Sequence, residues 1–137
     1  MVGTDYAMPP YHSLDIVPPC KVIKFIGKGS FGSVYCVKRL SDGLEYAMKQ
    51  ISITQMSSQE RKKAVNEIRI LASISSCPYI VRFYEAFVEN DTLFIVTDYA
   101  AQGDLLTKIK RHFKRRTNFT EKQCWSYLIQ VRQALSQ

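Results

Sequence analysis

The chain has 137 residues, 46% of them hydrophobic and 23% charged, with a formal net charge of +7. That length supports one domain with a real core, and that balance describes a globular protein rather than a disordered or fibrous one. No apolar run approaches the ~20 residues of a membrane span, and the N-terminal stretch, with Asp5, Pro9 and Pro10, lacks the apolar segment of a signal peptide. Cys20, Cys36, Cys77 and Cys124 are scattered without a Cys-x-x-Cys pair, which argues against a zinc site or disulfide framework and suits a reducing compartment.

Residues 1–20, rich in Pro, Tyr and polar side chains, show no periodicity and read as a flexible extension. Strands over 22–27 and 32–38 make a hairpin around Ile26-Gly27-Lys28-Gly29-Ser30-Phe31-Gly32-Ser33-Val34. The turn signal Ser41-Asp42-Gly43 leads into a third strand over 45–51. Ser57 and Glu60 form a capping box for a helix reaching residue 74, with Ala64, Ile68, Leu71 and Ala72 at helical spacing; Cys77-Pro78 stops it. Strands over 80–88 and 93–99 join across Asn90-Asp91. Gln102-Gly103 breaks the pattern before a short helix over 104–113. Thr120 and Gln123 then cap a last helix carrying Trp125, Leu128, Val131 and Leu135 on one side. Lys108, Lys110, Arg111, Lys114, Arg115 and Arg116 concentrate positive charge. Without an aromatic stacking pattern, they read as a solvated connection between helices rather than a nucleic-acid patch.

The glycine segment carries chemistry because a strand follows it. In a dinucleotide-binding fold the third glycine opens a helix, whereas Val34-Tyr35-Cys36-Val37 is β-branched or aromatic for the most part. Strand, glycine turn and strand give a hairpin whose tip can close over phosphates, with backbone N–H groups free to approach the oxygens. On the third strand, alternation puts Ala47 and Lys49 on one face and Tyr46 and Met48 on the other. A small residue beside a base and an ammonium at phosphates is what a nucleotide pocket asks of such a strand. The plain alternative for Lys49 is a solvated strand lysine. Glu67 lies on the helix with Ala64, Ile70 and Leu71 at i−3, i+3 and i+4, and a carboxylate on a packing face needs a partner. Lys49 and Lys63 are both candidates.

Glycine loop, strand and Ala47-Met48-Lys49, in this order and spacing, resemble the protein-kinase signature. The resemblance covers about residues 21–137. Its finer grain is similar to the never-in-mitosis-A-related (Nek) serine/threonine kinases, through Ile-Gly-Lys-Gly-Ser-Phe-Gly, Asp98-Tyr99, Gly103-Asp104-Leu105 and the basic stretch leading to Phe119-Thr120-Glu121. It departs from the family at Cys77-Pro78-Tyr79-Ile80-Val81, where a histidine is expected in place of cysteine.

The resemblance implies an α+β fold. A kinase N-terminal lobe of five antiparallel strands and one helix would occupy 21–99, with the hinge end and first helices of the larger lobe at 100–137. It implies ATP as the nucleotide, with Mg2+ only in the complete domain, and protein substrates. Lys49 would orient the phosphates and Glu67 would hold Lys49. The loop from Gly27 through Lys28, Gly29, Ser30, Phe31, Gly32 and Ser33 would cover the phosphates. Ile26, Val34 and Ala47 would enclose the adenine, and Thr97 would stand as gatekeeper. Asp98 and Ala100 would offer backbone groups to the purine edge, and Asp104 would reach the ribose. Leu71 and Phe83 match an internal hydrophobic spine. A cytoplasmic, nuclear or cytoskeletal setting is expected, with no membrane or nucleic-acid partner.

Neither His-Arg-Asp nor Asp-Phe-Gly occurs in the chain. The family's catalytic aspartate and magnesium ligands therefore have no counterpart here, and the 137 residues alone are expected to be inactive. The competing reading is a naturally short, non-catalytic module that binds nucleotide or a partner. In either case Trp125, Leu128, Val131 and Leu135 are expected to be left without cover.

Overall fold

A computed structural model describes residues 19–29, 32–54 and 56–137. Five strands form one antiparallel sheet: β1 (Cys20–Lys28), β2 (Ser33–Arg39), β3 (Glu45–Ser52), β4 (Phe83–Glu89) and β5 (Thr92–Asp98). Their spatial order is β1-β2-β3-β5-β4, so β3 sits at the centre and pairs with β5 across the intervening helix and β4. Helices α1 (Ser58–Ile74), α2 (Leu105–Arg115) and α3 (Glu121–Leu135) complete the elements among the described residues. Among the described residues no helix is long and apolar enough to cross a membrane.

Both faces of the sheet are apolar at the centre. One carries Tyr35, Val37, Tyr46, Met48, Phe94 and Val96 as a buried cluster. The other carries Ile51, Leu93 and Ile95, against which α1 lays Ala64, with Ile68, Leu71 and Phe83 partly buried beside them. The two faces follow from period-two alternation along β3 and β5. They are called the outer and the inner face below.

Local chemistry fixes the connections. Ser57 and Glu60 form the capping box at the start of α1, the Glu60 carboxylate accepting from the Ser57 N–H at 2.7 Å. Asn90 and Asp91 both have positive φ (45° and 56°), the geometry of a two-residue turn whose twist matches that of the flanking strands. Between β2 and β3, Gly43 adopts φ 71° while Asp42 accepts from the Leu44 N–H at 2.9 Å.

The structure departs from the expected boundaries by two or more residues in three places. β1 starts at Cys20 rather than at 22. The strand expected over 80–88 begins at Phe83, because the segment after Cys77-Pro78 is a turn in which the Ile80 N–H donates to the Cys77 carbonyl at 3.2 Å. The helix expected over 104–113 takes in nearly all of the basic stretch, which also read as a connection between helices. α2 runs to Arg115, and Arg116 closes it in the left-handed conformation at φ 54°, its N–H donating to the Phe113 carbonyl. The residues expected to form the N-terminal extension lie, up to residue 18, outside the described residues.

Candidate functional site

The inner face is built in rows by the strand register. Val34 stands opposite Lys49, which stands opposite Ile95; Cys36 stands opposite Ala47, which stands opposite Thr97. Residues directly opposite share a face, so Val34, Ala47, Lys49 and Thr97 lie on the same side of the sheet. Cys36 joins them, fully buried, although the sequence reading did not single it out. Its position two residues beyond Val34 was the available signal. Burial pushes the Cys36 thiol above its ordinary value. The roof is less complete at Ile26, which is 45% exposed.

In the middle of its row, Lys49 Nζ meets Glu67 Oε1 at 2.9 Å. The helix therefore turns Glu67 to the sheet and pairs it with Lys49 rather than Lys63. Burial does not force this pairing, contrary to the expectation from the helix periodicity. The Glu67 side chain is 46% exposed and Ile70, taken as part of the packing face, is 50% exposed. A pair this accessible contributes little to stability, at most about 1 kcal/mol. Its value lies in where it holds an ammonium.

The glycine hairpin closes on itself through Gly29, whose N–H donates to the Gly32 carbonyl at 2.8 Å. Ser30 and Phe31 lie outside the described residues. Gly32 sits directly on β3: a Cβ there would collide with the Gln50 carbonyl. Only a residue without a side chain allows that approach. A cavity of about 590 Å3 opens at this end, lined by Lys28, Gly29, Gly32, Ser33, Gln50 and Glu60 among others. It includes none of Lys49, Ala47 and Thr97, so this opening is beside the candidate site rather than in it.

Beyond β5 the chain leaves the sheet. Thr97 Oγ1 donates to the Asp98 carbonyl at 3.4 Å. The Ala100 carbonyl, expected to face a purine, accepts from the Gly103 N–H at 3.0 Å in a turn, with Gly103 at φ 76°. Asp104, expected to reach a ribose, caps α2: its Oδ1 accepts from the Thr107 N–H at 2.6 Å. That backbone bond holds the Asp104 carboxyl below its ordinary value. A sugar hydroxyl would have to share the carboxylate with the helix. Leu71 and Phe83 both pack against the inner cluster, as either spine or ordinary core residues would.

Helices α2 and α3 meet through Lys108, whose Nζ donates to Tyr127 Oη at 2.6 Å, and through Phe119, which lies between His112 and Tyr127 at ring distances of 4.3 and 5.9 Å. Their outer surfaces are open. Phe113, Trp125, Leu128, Val131 and Leu135 are 86, 55, 59, 53 and 80% exposed. Neither helix buries a residue fully.

A five-stranded antiparallel sheet with one helix on its inner face and a strand lysine bonded to a glutamate of that helix is the architecture of a protein-kinase N-terminal lobe. The protein kinase domain model matches residues 20–137. The chain is 38% identical over 113 residues to "Probable serine/threonine-protein kinase nek3" of Dictyostelium discoideum, covering 82% of this chain and 10% of that protein. It is 39% identical over 110 residues to serine/threonine-protein kinase Nek1 of Mus musculus, covering 80% of this chain and 9% of that protein. Serine/threonine-protein kinase ATG1a of Arabidopsis thaliana is 44% identical over 89 residues, covering 65% of this chain and 14% of that protein. The chain belongs to the protein kinase family and is similar to its Nek members. It spans about a tenth of the length of the first two relatives.

Proposed function

We propose that these residues form the ATP-holding part of a protein serine/threonine kinase, an enzyme that moves the γ-phosphoryl of MgATP to Ser or Thr of protein substrates. The observation that carries the reading is the Lys49–Glu67 contact of 2.9 Å, placed on the same sheet face as Val34, Ala47 and Thr97. The residues suit ATP. Lys49 offers an ammonium to the α- and β-phosphates while Glu67 holds it in line. The Gly27–Ser33 backbone can lie over the phosphates, since Gly32 already reaches β3 without a side chain. Ile26, Val34 and Ala47 enclose the base, backbone groups of Asp98 and Ala100 meet its edge, and Asp104 lies toward the ribose. Mg2+ would neutralise charge on the transferring phosphoryl group. The carboxylate and amide motifs that hold it in this family do not occur in the chain, so no metal ligand is assigned here. The same holds for the residue that accepts the substrate proton. Positioning of ATP is thus the role of these residues, and the 137 residues by themselves are inactive in phosphoryl transfer. A cytoplasmic, nuclear or cytoskeletal setting fits the reading.

Lys49→Met tests it. ATP binding followed by ligand-observed NMR or calorimetry should fall at least tenfold, with circular dichroism unchanged. Equal affinity in the two proteins would end the assignment of Lys49.

A further inference from the structure

Asp98 is the last residue of β5, and its ladder partner is Tyr46, so its side chain leaves the sheet on the outer face, away from Lys49. There the carboxylate accepts twice. Oδ2 takes the Arg82 N–H at 2.8 Å and Oδ1 takes the Tyr84 hydroxyl at 2.7 Å. The Asp98 N–H donates in return to the Arg82 carbonyl at 3.0 Å. Three bonds therefore tie the first residue of the interlobe segment to the entry of β4, where the β4–β5 register slips between Phe83 and Glu85.

Tyr84 is itself seated. Its ring stands edge-on to Tyr46 at 4.9 Å, and Tyr46 is a buried member of the outer cluster. The Tyr46 hydroxyl donates to Asp42 at 2.8 Å, and the Arg39 guanidinium lies 4.2 Å from the Tyr46 ring centre and bonds Glu85 at 3.0 Å. The Asp98 clamp is thus the end of a polar and aromatic chain that begins at the β2–β3 turn. The residues that follow have fewer ties, the nearest being Lys24 Nζ at 5.4 Å from the Tyr99 ring centre. The one backbone bond found within 99–103 is the turn from Gly103 to Ala100.

We propose that the Asp98 carboxylate is a positioning group for base recognition. Held by the Tyr84 hydroxyl and the Arg82 amide, it orients the peptide groups of 98–100 from the face opposite the nucleotide. This rests on the nucleotide reading above. The carboxylate touches no ligand; it acts through the backbone it anchors. Hydrogen bonds to an ionised acceptor are roughly twice as strong as neutral ones, which suits a single side chain that must order a segment with few other contacts. Asparagine can imitate the clamp, its oxygen accepting from Arg82 while its amide donates to the Tyr84 oxygen; alanine cannot.

The test uses the 137-residue chain and two readouts. The first is amide hydrogen exchange. Asp98→Ala and Tyr84→Phe should speed exchange at least tenfold at the amides of residues 98 and 103, the bonded ones at the two ends of the segment, and leave the amides of 46–51 unchanged, while Asp98→Asn recovers most of the protection. The second compares ATP with inorganic tripolyphosphate. Asp98→Ala should weaken ATP by roughly five- to tenfold, the scale of one well-placed hydrogen bond, without changing tripolyphosphate. Lys49→Met should weaken both. Unchanged exchange at the amides of 98 and 103 overturns the proposal whatever the nucleotide result, and so does equal weakening of ATP and tripolyphosphate by Asp98→Ala. If the unsubstituted chain prefers ATP to tripolyphosphate in no measurable way, the nucleotide reading and the base-positioning role fall together. The exchange data still decide separately whether the carboxylate orders the segment.

Discussion

Gly32→Ala and Gly27→Ala alter two glycines of the same hairpin and should have unlike consequences. At Gly32 the new Cβ would fall on the Gln50 carbonyl oxygen, with the Gln50 carbonyl carbon at 2.9 Å and the Ile51 Cα at 3.2 Å. All three atoms belong to the backbone of β3, which is bonded to β2 on one side and β5 on the other, so no rotamer change relieves the contact. The hairpin end must lift instead. Lifting loosens the Ser33–Gln50 pairing and the 2.8 Å bond from Gly29 to Gly32. Overpacking costs about 1–3 kcal/mol and each net hydrogen bond about 1 kcal/mol, so a loss of ~2–3 kcal/mol is expected. With a urea m-value of about 2 kcal/mol/M, the midpoint should fall by roughly 1–1.5 M at unchanged slope. At Gly27 a Cβ meets nothing within 4 Å. Its replacement should stay within about 0.5 kcal/mol. Urea unfolding followed by circular dichroism compares the two. If Gly32→Ala proves as mild as Gly27→Ala, the close approach of the hairpin to β3 is wrong, and with it the account of why this position lacks a side chain.

Glu67→Gln separates stability from binding. Unfolding should change by less than about 1 kcal/mol, because the Glu67 side chain is 46% exposed, whereas ATP affinity should drop severalfold; unaltered affinity would remove Glu67 from the site. Replacing Leu128 and Val131 with Glu, at positions 59 and 53% exposed, should reduce self-association in sedimentation velocity without moving the sheet's unfolding transition. A monodisperse parent chain would show that the exposed face of α3 is harmless. Acid stability should follow three carboxyls held below their ordinary values, chiefly by backbone N–H groups: Asp42 by Leu44, Glu60 by Ser57 and Asp104 by Thr107. Their folded-state values are depressed, so the stability they supply is whole above the unfolded values of 3.8 and 4.5 and is lost as pH falls through the native ones. Carboxyl NMR titration reads each midpoint directly, and midpoints at or above the ordinary values would contradict the cap and turn geometry.

Where local chemistry decides, the sequence is a sufficient guide. Ser57 with Glu60, Thr120 with Gln123, and Asn90-Asp91 each specify a cap or turn within four residues, and all three form as their spacing demands. Charge is a poorer guide. Six cations near Lys108–Arg116 suggest a solvated connection, yet all but Arg116 lie within α2, which Asp104 caps at one end and the left-handed Arg116 closes at the other. The Lys49–Glu67 contact shows another limit. Helix periodicity leaves Lys49 and Lys63 as equal partners, and the reason it offers, a buried carboxylate, does not apply to a side chain that is 46% exposed. Resemblance to the kinase family favours Lys49, because that pairing is a tertiary arrangement no local rule encodes.

The opposite directions of Thr97 and Asp98 make the same point more sharply. Alternation alone says that the two side chains part, but it leaves open which of them enters the inner face. That choice follows from the β3–β5 register, in which Ile51 lies opposite Leu93 and Lys49 opposite Ile95. A slip by one residue would put Asp98 inside and Thr97 outside, moving Leu93 and Ile95 out of the cluster that covers Ala64 of α1. The apolar pairs under the helix thus decide, a few residues away, that a carboxylate faces Arg82 and Tyr84 rather than the side of Lys49. The packing of α1 and the orientation of the Asp98 side chain are two consequences of one register.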